Sequence, residues 1–514
     1  MNYKNIWAAG LICLSFLSCD KYLDEAPSKS KGIEITTIEQ LDALLNKAAF
    51  TDLKTQMAPG ILYRGDSFGM TAEQYLKGFK STGVKIDLIQ QSVGEVQYLE
   101  NTNHLVSFWA ASYQGVFMAN LVLGNIEKVS GSDEFKARVK ARAHLLRAYS
   151  YFDLAQYYCL PYGPATLAEL GLPIKKTTGY EEDVHRVSLK DTYDFIEADV
   201  QEAVKLKDPI RQSEMRVSWK ETGATANALA ARFYMAKGQY DQAEKYASAS
   251  LSYANDIRDY SDGTITQVMD AQSNQLVASN TLEQNRHPSF AADWDKAFYN
   301  RTHNFLFDYC FPIVSNKLMA LYGDHEYDLR RKFFILKDMK NIGSLKMFVG
   351  SRFDPDVKIP GYYVHGNLEI SLAPNVAEMM LTEIEAKARQ GHYQQAMVDL
   401  NRFRKYRMDR STPTNILQLT AQDQNQAVQQ ILDERQREFP YTVRWLDLRR
   451  INFNDDPKDD VVITKQFYKV NASAVDYNSA PITYELKPGS RKYAIAIPMQ
   501  EIVASNGVIV QNKY

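Results

Sequence analysis

Apolar residues recur at i, i+3 and i+4 in segments 38–49, 103–129, 133–158, 188–206, 220–236, 240–253, 376–390, 393–407, 423–438 and 442–451. This is the spacing of one buried face on a helix of 3.6 residues per turn, and no other feature of the chain narrows its possible folds as far. A helix with one apolar face must cover it with a neighbour, so a chain patterned in this way packs helix on helix. Strand-like alternation is sparse, and its best case is YAIAIP at 493–498, where a strand is expected. The chain is expected to be mostly α with long connections.

Two stretches repeat one another. AARFYMAKGQYDQAEKYASAS (230–250) and AKARQGHYQQAMVDLNRF (386–403) share Gly-x-Tyr-x-x-Ala, at Gly238, Tyr240, Ala243 and at Gly391, Tyr393, Ala396. The pattern resembles the tetratricopeptide turn, where Gly ends one helix, Tyr packs into the angle and Ala admits the second helix. Helix pairs 103–129 with 133–158 and 188–206 with 220–236 have suitable lengths without the full signature. The repeats are scattered rather than tandem, so the expected architecture is a helical-repeat scaffold with loop-rich insertions. The insertions, 50–102 and 255–375, are richer in Gly, Asp, Asn, Ser and aromatics, and loops of such length are usually functional.

The N-terminus reads as a secretory signal: Lys4, then an apolar run of about a dozen residues from Ile6 to Leu17, then Ser18. That run falls short of the roughly 20 residues a helical membrane span needs, and no later stretch is expected to be long enough. Phe16-Leu17-Ser18-Cys19 resembles a bacterial lipobox, which implies that Cys19 is acylated and becomes the new N-terminus, with 1–18 removed and 19–32 forming a tether. Several acyl chains hold a protein on a membrane far more firmly than one.

Net charge is −2, which gives no field for nucleic acid or an anionic membrane surface. Aromatic content stands out, with 32 Tyr, 23 Phe and 5 Trp, as suits amphipathic contact surfaces as well as core. Of the 4 cysteines, Cys13 leaves with the signal and Cys19 takes lipid; Cys159 and Cys310 could pair in an oxidising compartment, but Cys159, inside YYCLPY, reads as a buried free thiol. No CxxC, HExxH or histidine cluster points to a metal, and no cofactor is expected.

Longer motifs carry a family resemblance. RAYSYFDLAQYYCLPYGPA (147–165), preceded by Trp109, Tyr113 and Asn120, HEYDLRRKFF (325–334) with Asp328 and Arg330, ILDERQREFPYTVRWLDLRR (431–450) and IPMQEIVASNGVIVQNKY (497–514) together resemble the SusD/RagB family of outer-membrane lipoproteins. The likeness runs from Cys19 to Tyr514; one departure is Asn375, where many members carry Arg. It implies one domain over 33–514, with an N-terminal region about 33–255 and a C-terminal region about 256–514. It further implies a lipid-anchored protein of the outer membrane, facing the medium, that binds an oligosaccharide or polysaccharide and delivers it to a TonB-dependent, SusC-like transporter. The alternatives are the peptide-binding lid of a RagAB-like importer and a structural lid that binds no ligand.

Glu434 and Glu438 share a helical face at i, i+4, a spacing that invites a glycosidase reading. Arg435, Arg437, Arg444, Arg449 and Arg450 crowd the same block, however, and nearby cations keep carboxylates ionised where a general acid needs a raised pKa. An ion network is expected, and no enzyme. Trp109, Tyr149, Tyr151, Tyr157, Tyr158 and Trp445 are expected in the core. For ligand contact the loop aromatics with polar neighbours are expected: Tyr63, Arg64, Asp66, Phe68 and Tyr75, Tyr98 with Asn101, and Trp294, Tyr299 and Arg301, with GYYVHGN (361–367) as a further cluster. A pyranose needs both a ring to stack on and hydrogen-bonding partners for its hydroxyls.

Overall fold

A computed structural model describes residues 34–47, 60–179, 181–209, 220–263, 265–270, 275–280, 297–299, 301–304, 312–323, 325–336, 357–363 and 369–514. The expected signal and tether with Cys19, and Cys310 and Trp294, lie outside the described residues.

The scaffold helices are α1 (Ile38–Lys47), α2 (Asn103–Asn125), α3 (Asp133–Tyr158), α4 (Leu189–Ala203), α5 (Gly223–Ala236), α6 (Tyr240–Leu251), α7 (Val376–Arg389), α8 (Tyr393–Lys405), α9 (Gln424–Glu438) and α10 (Thr442–Ile451). Side-chain caps set several of their starts: Ser132 accepts from the Phe135 amide, Ser188 from Asp191, Asn375 from Glu378 and Asp423 from Gln426. The Asn375 departure is thus a helix cap, and Glu378 is paired instead with Arg232 at 2.6 Å.

Both repeat turns close alike. Gly238 (φ 70°) and Gly391 (φ 92°) take the left-handed conformation that a side chain disfavours. The next amide, Gln239 or His392, donates to the Tyr234 or Lys387 carbonyl at 3.0 Å, the six-to-one bond of a Schellman ending. In space the helices form one continuous array, α2 on α3, α3 on α4, α5 on α6, α6 on α7, and α7 on both α8 and α9. The repeats that the sequence separates by residues 255–375 are therefore neighbours through α6 and α7. Helix α1 covers the outer side of α2 and α3, where Ile38, Leu41 and Leu45 meet Val122, Val139 and Leu146 in a small core of their own.

Two expectations change. Leu105–Asn125 is long and apolar enough to cross a membrane, contrary to the reading of the sequence, because a helix packed against both α1 and α3 is apolar around most of its circumference. In YAIAIP, Tyr493 closes the 3₁₀ turn Arg491–Tyr493 and residues 494–498 join no sheet. Ala494, Ile495, Ala496 and Ile497 are all buried, so its alternation does not divide a wet face from a dry one. Its partners come from elsewhere: the Ile495 amide donates to the Tyr157 carbonyl (2.8 Å), Asn512 Nδ2 donates to the Ile495 carbonyl (2.7 Å), and the Gln511 side chain both accepts from and donates to Ile497 (2.8 and 2.9 Å). Side-chain amides of the closing QNKY supply what a neighbouring strand would.

Strands form two-stranded pairs only among the described residues. The one that matters for the surface joins β1 (Ile463–Phe467) to β2 (Ile482–Leu486), antiparallel with Phe467 opposite Ile482. It leans on the loops at 60–101, where Lys465 Nζ donates to the Tyr63 carbonyl (3.0 Å) and Gln90 Nε2 to the Asn471 carbonyl (2.8 Å). Those loops also run beside 313–315: Gly69 donates to Ile313 (3.0 Å), and a Cβ on Gly69 would stand 2.5 Å from Ser315 Cα.

Asn512 also donates to the Tyr158 carbonyl (2.9 Å) and accepts from Arg186 (2.9 Å). Asn512→Ala is expected to cost about 1–3 kcal/mol through the groups left unpaired. Lys513→Ala, an exposed neighbour, should stay within about 0.5 kcal/mol. Urea denaturation of the two variants checks the contrast.

Candidate functional site

The ERQRE block of α9 is a buried ion network. Arg330, held by Asp328 (2.7 Å), reaches Glu434 (2.8 Å) and Glu438 (3.0 Å); Glu434 also meets Arg404 (2.6 Å) and Arg437 (2.7 Å), and Glu438 meets Arg407 (2.7 Å). On the neighbouring helix α7, Glu385 takes Arg450 (2.6 Å) and Arg389 (2.8 Å), while Asp447 of α10 takes Arg435 (2.9 Å) and Arg450 (2.8 Å). Burial alone would raise the Glu434 carboxyl, but Arg330, Arg404 and Arg437 outweigh it and hold it well below the usual range. Glu385, against Arg450, Arg389 and Arg435, behaves the same way. Neither carboxylate can serve as a general acid at neutral pH.

The first predicted cluster is anchored to this frame rather than displayed. Tyr63, Arg64, Asp66, Phe68 and Tyr75 are buried, and for these the expected open platform is corrected. Asp66 accepts two bonds from Arg444 (2.9 and 2.7 Å) and one from Lys317 (2.7 Å). Despite burial, these cations keep its carboxyl well below the ordinary range. Arg64 lies 4.1 Å above the Trp445 ring and donates to the Lys492 carbonyl (2.8 Å). Burial lowers its guanidinium to about 9. Tyr63 meets Phe68 edge-on at 5.0 Å, and Tyr75 packs 5.3 Å from Phe467 of β1.

Tyr299 and Arg301 are buried too. Arg301 pairs with Asp153 of α3 (2.5 Å) and sits 4.3 Å over the Tyr149 ring, and the Tyr299 hydroxyl donates to Glu221 at 3.4 Å. Tyr362 and Tyr363, from the further cluster, are likewise inside. The common reason is that a long loop carries its own small core, and its large rings are the residues best able to fill it. The rings read from the sequence as core, Trp109, Tyr149, Tyr151, Tyr157, Tyr158 and Trp445, are buried, and Cys159 is a buried free thiol.

Tyr98 and Asn101 stay open. Both lie in the 3₁₀ turn Val96–Asn101, Tyr98 half-buried and Asn101 exposed. On β2, burial first and the nearby charges of Glu95 and Tyr98 after it push the Tyr484 phenol up, and its hydroxyl accepts from the Val470 amide (2.9 Å) and donates to the Tyr468 carbonyl (3.2 Å). Farther along the same hairpin region Tyr477 is 40% exposed, with the Lys80 ammonium 3.4 Å over its ring. Tyr477 and Tyr484 were missed in the sequence; the alternation of ITYEL (482–486) was the available signal. Rings held by their edges beside amide and carboxylate groups can stack on a ligand and accept its hydroxyl protons. Among the described residues no group of His, Cys, Asp and Glu could hold a metal.

A tetratricopeptide-like helical array with loop-rich insertions, whose paired carboxylates are locked in ion pairs, has the make-up of a scaffold protein. Two family models match it: one described as starch-binding and associating with the outer membrane over residues 21–235, and the SusD family model over residues 376–514. The chain belongs to the SusD/RagB family, and like that family it is non-enzymatic. No curated protein matches the chain. Similar solved structures include a SusD superfamily protein from Bacteroides thetaiotaomicron (16% identity, 93% of this chain and 100% of that one, TM-score 0.62). A SusD-like carbohydrate-binding protein from Bacteroides vulgatus is also similar (16%, 92% and 97%, TM-score 0.60). A surface glycan-binding protein A from Bacteroides uniformis is a third (16%, 93% and 99%, TM-score 0.56).

The network makes two tests. Arg330→Ala leaves Asp328 without its cation and takes one partner each from Glu434 and Glu438, and should cost about 3–5 kcal/mol, read from urea midpoints. The carboxyls of Asp66, Glu385, Glu434 and Asp447 are all depressed in the folded protein, so their contribution is complete above the unfolded values near about 4 and is lost as pH falls toward the folded ones. Stability should therefore drop steeply between about pH 5 and pH 3, and a flat profile there would contradict the network.

Proposed function

We propose that this protein is a cell-surface lipoprotein of the outer membrane, anchored through Cys19, that captures a neutral oligosaccharide and passes it to a SusC-like, TonB-dependent transporter. The observation that carries this reading is the pair of family matches, one of them to starch-binding proteins that associate with the outer membrane. The glycan-binding neighbours in Bacteroides vulgatus and Bacteroides uniformis support it.

In this reading Tyr98, Asn101 and Trp294 touch the ligand. The buried residues of both loop clusters, Tyr63, Arg64, Asp66, Phe68, Tyr75, Tyr299 and Arg301, hold the loops that present them. Capture needs no bond to break: rings supply about 1 kcal/mol each beyond the area they bury, and the tethered transporter raises the local concentration of its own substrate-bearing partner.

Calorimetry against a panel of neutral polysaccharides tests the proposal. Tyr98→Ala and Trp294→Ala should each weaken binding about fivefold while leaving the melting temperature unchanged. Retention of peptides with no retention of any glycan would overturn it, and co-purification of the transporter with the native protein tests the delivery step.

A further inference from the structure

The helical array encloses a second cleft, far from the loops in sequence. It has a volume of about 480 Å³ and is bounded by the segment after α3 (162–167), the α5–α6 turn, the end of α7, the start of α9 and residues 454–456. That volume lies within the range of about 300–1,000 Å³ typical of small-molecule sites.

Its two rings, Tyr162 and Tyr240, are half-buried, each with a cation near its face. Tyr162 packs 4.7 Å from Tyr193, with the Lys237 ammonium 5.7 Å from its centroid. Tyr240, the repeat tyrosine, has the Arg389 guanidinium 5.2 Å over its face. In the second repeat the equivalent Tyr393 donates its hydroxyl to the Gln422 carbonyl at 3.2 Å. Tyr240 departs from that pattern: among the described residues neither its hydroxyl nor that of Tyr162 has a hydrogen-bond partner, and the Asn425 amide and the Asp455 carboxylate at the mouth have none either. Tyr162 and Tyr240 are half-buried and Asn425 and Asp455 stand exposed at the mouth, so their polar atoms are open to a ligand that enters a cleft of this size.

The charges narrow the ligand. Lys237 is committed to Glu197 (2.5 Å), Arg389 to Glu385 and Asp459 (2.8 and 2.6 Å), and Arg450 to Glu385 and Asp447 (2.6 and 2.8 Å). An acidic glycan or a peptide carboxylate would meet the carboxylates of Asp455 and Asp456 with no free cation to receive it. An uncharged sugar chain suits every group present: two ring faces for its C–H surfaces, phenol hydroxyls and an amide that donate and accept, and a carboxylate able to accept from adjacent hydroxyls.

We infer that the cleft between the helical repeats, walled by Tyr162 and Tyr240 and rimmed by Asn425 and Asp455, is a second site for an uncharged oligosaccharide. This inference rests on the reading of the chain as a glycan-capturing protein and adds a site independent of the loops.

The test titrates the purified chain with neutral hexaoses (maltohexaose, cellohexaose, mannohexaose, xylohexaose) by calorimetry and by heteronuclear NMR. At least one should bind at two sites. Asp455→Ala, at an exposed position, and Tyr162→Phe, which removes only the hydroxyl, should both fold as wild type. Asp455→Ala should weaken one of the two sites about tenfold through loss of a charge-assisted hydrogen bond, and Tyr98→Ala should leave that site untouched. Binding at a single site that Tyr98→Ala weakens and the cleft variants do not would overturn the second site while leaving the proposed function standing. Failure of every hexaose to bind would overturn both, and selective binding of a lysine-rich peptide that depends on Asp455 would replace the sugar with a basic peptide.

Discussion

Removing a guanidinium or carboxylate from water costs several kcal/mol per ion unless a partner waits inside. Arg330, Arg404, Arg407, Arg435, Arg450, Glu385, Glu434 and Asp447 are all buried here, so each must find its counter-ion before the helices that carry it can close. The pairs join elements far apart in sequence: α7 through Glu385, α9 through Arg435 and Glu434, α10 through Asp447 and Arg450, and the 328–330 turn through Asp328 and Arg330. An array of helices whose apolar faces could slide past one another thereby acquires one register. The cost of error is asymmetric, since a misplaced helix strands several ions at once.

The same economy fixes the loops. Asp66 is tied to Arg444 of α10, and Arg64 lies over Trp445 in the next position, so the loop at 60–69 is clamped to the block that organises the C-terminal helices. Arg301 is tied to Asp153 of α3 in the same way. The contacts that clamp these loops and helices also keep the network's carboxylates ionised.

Much of the fold was legible because helical periodicity is local. The helices read at 133–158, 240–253, 376–390 and 442–451 recur as α3, α6, α7 and α10 within a few residues, and the Gly238 and Gly391 turns close as their motif implies. YAIAIP misled because alternation signals a strand only where one face is wet, and here helix α3 and the side chains of Gln511 and Asn512 cover both. The site was legible only in part. Loop composition pointed to aromatic loops, but Tyr63, Tyr75 and Tyr299 face inward, while Tyr477, on an unremarked hairpin, is exposed and Tyr484 half-buried.

The sequence by itself determined the helical class, the two repeat turns, the arginine–carboxylate block and the family, because each is written in spacings of a few residues that act within a turn or a helix. Only the tertiary structure decided that the scattered repeats are neighbours, which loop rings remain open, and that Tyr240 fronts a cleft while Tyr393 is satisfied. Those outcomes depend on which distant groups compete for the same buried space and the same hydrogen bonds, and no local spacing records that competition.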